Sequence, residues 1–164
     1  MNVNAIFPGS FDPLTKGHYD LIYRASRIMD HLTVAVMTNT SKKALFTTDE
    51  KVKIIKDAVA ELNNVDVIAV EKGLTVDLAQ KLNATVIIRG VRDTEDFEFE
   101  KKIANLNRKL NSEIETLLLS SSPEFEAISS SMIKEIAKFG GDVSQFVNPT
   151  VQHLIEEKIN EKEN

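Results

Sequence analysis

Cysteine is absent from the 164-residue chain, which removes disulfides, thiolate zinc sites, iron–sulfur clusters and cysteine nucleophiles together. Any nucleophile must be oxygen or nitrogen, or belong to a substrate. Glycine and proline are scarce, at 6 and 4 residues, while apolar residues make up 42% and charged residues 27%; disordered and fibrous chains have other compositions. No block of Lys and Arg is long enough to follow a phosphodiester backbone, and 20 basic against 25 acidic residues leave a net charge of −5. Nucleic acid is therefore not an expected partner. No apolar run approaches the ~18 residues of a bilayer span, and residues 1–10 carry neither a basic n-region nor an apolar h-region. The expectation is a cytoplasmic protein with no membrane partner. No internal repeat, low-complexity stretch or linker interrupts the chain, and at ~100–200 residues per domain its length predicts one domain over 1–164.

Residues 3–7 are β-prone and meet Pro8-Gly9; a helical pattern follows over 17–30, in which His18, Leu21, Ile22, Ala25 and Ile28 or Met29 share one face. A second strand is expected over 32–38, then the polar loop 39–43. Thr47-Thr48-Asp49-Glu50 has the form of a capping box and opens a helix to about residue 62. Strands at 65–70, 84–88 and 114–119 alternate with helices at 74–82 and about 95–110. Five strands alternating with helices, several apolar on both faces, predict a parallel sheet covered on both sides, hence an α/β, Rossmann-like doubly wound fold. C-terminal helices complete it: one at 130–139, stopped by Gly140-Gly141, and one opening at Pro149 with Asn148 as N-cap. Val151, Leu154, Ile155 and Ile159 form the stripe of the latter, and 160–164 read as a charged tail that frays.

In such sheets ligands bind beyond the carboxyl ends of the strands, so the segment after each strand is the place to look. Residues 8–18 follow strand one, Lys42 follows strand two, Gly73-Leu74-Thr75 strand three, Arg89 to Arg92 strand four, and a serine-rich stretch ending Ile128-Ser129-Ser130-Ser131 follows strand five. Hydroxyls and cations gather on one sheet edge. Alone, a histidine at position 18 is more often a partly buried structural residue than a functional one, but Gly17-His18 at a helix start lies beside free N–H groups and the positive end of the dipole. That setting disfavours imidazolium and suits a neutral imidazole donating one hydrogen bond to a phosphate oxygen. His31 and His153 have no comparable setting. Lys42-Lys43 reads otherwise as solvated charge. Arg89 ends an apolar strand beside Gly90, which lets backbone approach a ligand, and Arg92 would add a second clamp; ion pairs with Asp93, Glu95 or Asp96 are the alternative. The serines fit either an N-cap or a second phosphate site.

Two further absences narrow the chemistry. There is no G-x-x-x-x-G-K-[ST] loop and no G-x-G-x-x-G after strand one, so P-loop hydrolases and ordinary dinucleotide oxidoreductases are disfavoured. No acidic cluster at the strand ends forms a magnesium cage; Asp12, followed by Pro13, is a lone candidate, so a metal is expected to arrive with a nucleotide.

Thr15-Lys16-Gly17-His18 together with Ile128-Ser129-Ser130-Ser131-Met132-Ile133-Lys134-Glu135 resembles the two motifs of the T/H-x-G-H nucleotidyltransferases. Pro8-Gly9-Ser10-Phe11-Asp12-Pro13, Ser41-Lys42-Lys43, Ile88-Arg89-Gly90-Val91-Arg92 and Asp96-Phe97-Glu98-Phe99-Glu100 extend the resemblance over essentially the whole chain, most closely to the bacterial phosphopantetheine adenylyltransferases. It implies transfer of adenylyl from ATP to 4′-phosphopantetheine, giving dephospho-coenzyme A and pyrophosphate in coenzyme A synthesis, with Mg2+ arriving on ATP and a homohexameric assembly. By position it implies that His18 stabilises the transition state with Lys42 assisting, that Ser10 touches both substrates, and that Lys42, Thr75 and Arg89 hold phosphopantetheine. Ser10, Phe11, His18, Gly90, Val91, Arg92, Glu100, Phe125, Glu126, Ala127, Ile128, Ser129, Ser130 and Ser131 would line the ATP site. Position 10 is Ser where several relatives have Thr, and position 7 is Phe where Tyr is frequent. Two alternatives stay open: a nucleotidyltransferase with another acceptor, such as nicotinamide mononucleotide, and a nucleotide-sensing module without turnover.

Overall fold

Five strands alternate with helices in the computed structural model, which describes residues 2–38 and 43–163. In chain order they are β1 (Asn4–Gly9), α1 (Lys16–Ser26), β2 (His31–Met37), α2 (Thr48–Ala58), β3 (Val65–Val70), α3 (Thr75–Lys81), β4 (Val86–Val91), α4 (Thr94–Leu110) and β5 (Glu115–Ser120). A 3-10 turn at Pro123–Phe125, α5 (Ser130–Lys138) and α6 (Pro149–Glu163) follow. All pairings are parallel and the order is β3-β2-β1-β4-β5. The chain moves outward from β1 to β3, then crosses back to β4 on the other side of β1. A doubly wound sheet of this order has its switch point between β1 and β4.

Alternation along the central strands feeds two cores. Ala5 and Phe7 of β1 with Val86 and Ile88 of β4 join Leu21, Ile22, Ile55, Ile133 and Ile155 on the face covered by α1, α2, α5 and α6. Ile6 and Ile87 face the other way, with Val76 and Ala79 of α3 and Ile114. The expected cover on both faces holds for the central strands. It does not hold at the edges: no residue of β5 is fully buried, and α4 beside it leaves Phe99, Leu106 and Leu110 about 61%, 54% and 60% exposed.

Several boundaries move, with physical reasons. Pro8-Gly9 lies inside β1 rather than ending it. Pro8 O accepts from Arg89 Nη1 at 2.9 Å, so this residue faces β4, where pairing has stopped after Ala5–Val86 and Ile6–Ile87; its missing N–H costs no ladder bond. Arg89-Gly90-Val91 likewise belong to β4, held by β5 alone. α1 stops at Ser26, leaving Ile28 60% exposed and Met29 buried. The Thr47–Glu50 capping box forms as expected, but α2 ends at Ala58. Asn148 Oδ1 accepts from Val151 N at 2.8 Å to cap α6, which runs to Glu163 and so includes most of the 160–164 tail.

Candidate active site

Where β1 and β4 part, a cavity of about 300 Å³ opens at their carboxyl ends. His18 sits on its wall through a reciprocal cap. Thr15 is the N-cap of α1; its Oγ1 accepts from His18 N at 3.1 Å, and His18 Nδ1 accepts from Thr15 N at 3.1 Å. The imidazole thus takes the place that Glu or Gln holds in an ordinary capping box. An accepting Nδ1 carries no proton, so the hydrogen is assigned to Nε2 and the ring is neutral. Phe11 packs edge-on against it, centroids 5.1 Å apart. Burial, and secondarily the positive charge of Arg92, lower the His18 pKa to about 4.

The sign of the linkage follows. An unfolded His18 protonates near its ordinary 6.5 and the folded one near 4, so between these values the unfolded chain binds more protons, and this residue makes stability fall as pH drops through that window. In the ligand-free protein, the His18 ring resonances are expected to titrate near pH 4. A midpoint close to 6.5 would show that burial and Arg92 do not depress the pKa.

Both arginines expected at the cavity are there, and both are in ion pairs. Asp96 and Glu100 stand one turn apart on α4. Glu100 Oε2 and Oε1 accept from Arg89 Nε and Nη2 at 2.8 and 2.6 Å. Asp96 Oδ2 and Oδ1 accept from Arg92 Nε and Nη2 at 2.8 and 3.2 Å, and Arg92 Nη1 also reaches Ile128 O. Hydrogen bonding from Arg92 holds the Asp96 carboxyl below its ordinary range and, in return, raises the guanidinium pKa. The ion-pair alternative holds for Arg92, through Asp96; Arg89 pairs instead with Glu100, and both arginines line the cavity. Arg89 and Glu100, implied to serve different substrates, form one bidentate unit. Gly90 between the arginines packs closely on α1: a Cβ there would stand 2.4 Å from Leu21 Cδ1, so any larger residue would have to displace that side chain.

Ser10, Phe11, Phe125, Ile128, Ser129 and Ser130 also line the cavity. Ser129 Oγ caps α5 through Met132 N at 3.2 Å, and Ser130 Oγ donates to Pro13 O at 2.8 Å; both are N-terminal devices as well as cavity walls. Glu126, Ala127 and Ser131 are exposed and outside the lining, Val91 lines a separate surface cleft with Phe97, and Thr75 opens α3 away from the cavity. Lys42 lies outside the described residues. Asp12 is no open metal ligand: Leu45 N, Phe46 N and Lys134 Nζ already occupy its carboxylate. Among the described residues no group of three or more His, Cys, Asp and Glu gathers.

Thr15, Leu21, Asp96 and Ser121 line the cavity without having been singled out as site residues. Ser121 directly follows β5, so the strand-end rule reaches it. Thr15 was visible inside its motif, but its pairing with His18 depends on backbone direction.

A cytidylyltransferase-like family model matches residues 6–136. A phosphopantetheine adenylyltransferase of Levilactobacillus brevis is 55% identical over 143 residues, covering 87% of this chain and 88% of that protein. Another, from Latilactobacillus sakei subsp. sakei, is 51% identical over 155 residues, covering 94% of each. Among solved structures, the nicotinic acid mononucleotide adenylyltransferase of Plasmodium falciparum, complexed with NaAD, superimposes with a TM-score of 0.73 at 16% identity, over 96% of each chain. At that identity the likeness speaks for the fold.

Proposed function

This chain belongs to the phosphopantetheine adenylyltransferases of the cytidylyltransferase-like family, and from that membership we propose that it joins ATP and 4′-phosphopantetheine into dephospho-coenzyme A and pyrophosphate by direct in-line attack. A phosphate oxygen of the acceptor bonds to the α-phosphorus of ATP while the bond to the bridging oxygen of pyrophosphate breaks. No protein nucleophile takes part.

One observation carries the reading: the Thr15–His18 cap leaves a neutral imidazole with only Nε2–H to donate, on the wall of a cavity bordered by two arginines. Such a donor acts on charge that develops on the α-phosphoryl oxygens, and the N-termini of α1 and α5 add fixed positive potential. Arg89 faces the acceptor's phosphate end; Ser10 lies between the two substrates; Phe11, Gly90, Arg92, Glu100, Phe125, Ile128, Ser129 and Ser130 border ATP. Lys42 and Thr75 on the acceptor side rest on the family resemblance. Mixing ATP with phosphopantetheine is expected to release one pyrophosphate per dephospho-coenzyme A formed. Release only with nicotinamide mononucleotide, or ATP binding with no release from any acceptor, would overturn this assignment.

The cavity's carboxylates do not fit a protein-held metal, because Asp96 and Glu100 are each engaged by an arginine. We propose that magnesium enters on ATP as part of the substrate, where it neutralises phosphate charge. Exhaustively dialysed protein should then carry no stoichiometric divalent ion and yet need one for turnover. A retained ion in elemental analysis would expose a missed site.

We further propose a cytoplasmic homohexamer. The apolar stripe of α4 beside the edge strand β5 supports self-association, and among the described residues no helix is long and apolar enough to cross a membrane.

A further inference from the structure

The loop joining β1 to α1 is tied to two segments remote in sequence, and its knot is a buried charge. Asp12 is 6% exposed. Its Oδ1 accepts from Phe46 N at 2.9 Å, and its Oδ2 accepts from Leu45 N at 2.9 Å and Lys134 Nζ at 3.2 Å. The residue before it, Phe11, is held at φ 46° with its ring edge-on to His18. The residue after it, Pro13, accepts from Ser130 Oγ. Lys134 stands four residues beyond Ser130, on the same face of α5. Two contacts one turn apart, Ser130 to Pro13 and Lys134 to Asp12, therefore set both the rotation and the depth of the first turn of α5.

Neither Asp12 nor Lys134 borders the cavity, and the proposed chemistry uses neither. Their neighbours in sequence do border it: Ser10 and Phe11 on one strand end, Ser129 and Ser130 at the start of α5. Bringing a buried carboxylate out of water is costly, and here two backbone N–H groups and one ammonium group compensate. Those N–H groups belong to the backbone of Leu45 and Phe46, so the contact does not depend on which side chains stand there.

We propose that Asp12 and Lys134 are positioning residues for the adenylyl transfer, clamping the Ser10–Phe11 corner and the N-terminus of α5 at one separation across the cavity. The inference rests on the function proposed above. Displacing a reacting group by about 1 Å costs up to about 10²-fold in rate, so loss of the clamp falls on turnover more than on substrate binding.

Lys134→Met keeps an unbranched apolar stem of the lysine's shape and removes the ammonium group. With ATP and phosphopantetheine, kcat is expected to drop about tenfold or more while both KM values stay within about threefold. Lys134→Arg should recover most of the rate. Asp12→Asn combined with Lys134→Met should be no worse than Asp12→Asn alone, because both act through one contact. In the ligand-free protein, Lys134→Met should move the backbone amide resonances of Ser10, Phe11 and Ser130. Unchanged kcat with a lower melting temperature would reduce the pair to a brace for the fold. A raised KM for ATP at constant kcat would make Lys134 a nucleotide contact. Either result overturns the proposal. The amide shifts need no substrate: if wild-type protein released no pyrophosphate, the functional reading would fall, and still resonances at Ser10 and Phe11 would independently overturn the clamp.

Discussion

Replacing His18 by alanine is expected to lower turnover by about 10²–10³-fold, the effect of removing one preorganised donor to a developing oxyanion, equivalent to about 2.7–4 kcal/mol. ATP affinity should change far less, since Arg92 stays at the cavity wall, where the proposed function puts the ATP phosphates. The chain should stay folded. Alanine also removes the acceptor of Thr15 N–H, one leg of the cap on α1, which costs about 0.5–2 kcal/mol of stability; the bond from the residue 18 N–H to Thr15 Oγ1 survives. Rapid-quench turnover and equilibrium ATP titration decide the matter. Equal losses in binding and in turnover would show that His18 only holds substrate.

The arrangement around His18 shows how far residue patterns reach. Local devices were legible because they are written within four residues: the Thr47–Glu50 box, the Asn148-Pro149 start of α6 and the helix opening at Gly17-His18 all form. The strand-end rule led to the cavity because topology, not side-chain detail, puts the carboxyl ends of β1 and β4 together. What stayed hidden depends on partners far along the chain. Pro8-Gly9 looks like a strand terminator until β4 is seen to have parted from that side of β1. Asp12 looks like a spare carboxylate until Lys134 and the backbone at 45–46 reach it. Val91 and Ser131 carry the family pattern, yet strand and helix alternation turn them away from the cavity wall. The one-turn spacing of Asp96 and Glu100 was in plain view, and it is what lets a single face of α4 hold both arginines.

That pairing shapes the second large effect. Arg89→Ala is expected to weaken phosphopantetheine by about 10- to 150-fold, the ~1.5–3 kcal/mol of a hydrogen bond to a charged group, and ATP by clearly less. The two nitrogens of Arg89 now on Glu100 and the one on Pro8 O leave two N–H hydrogens of the guanidinium for a phosphate. Alanine also strands Glu100, whose side chain is only 8% exposed. Breaking a fully buried pair costs about 3–5 kcal/mol; Arg89 is itself 30% exposed at the cavity, so the loss of stability should fall below that range. The two consequences are separable with Glu100→Gln in the same chain, which removes the stranded charge. Arg89→Ala/Glu100→Gln should regain melting temperature while acceptor affinity stays low, because the phosphate has still lost its donor. Calorimetric titration of each ligand into the single and double variants is the measurement. If the double variant recovers phosphopantetheine affinity together with stability, Arg89 serves to neutralise Glu100 and the acceptor's phosphate is held elsewhere.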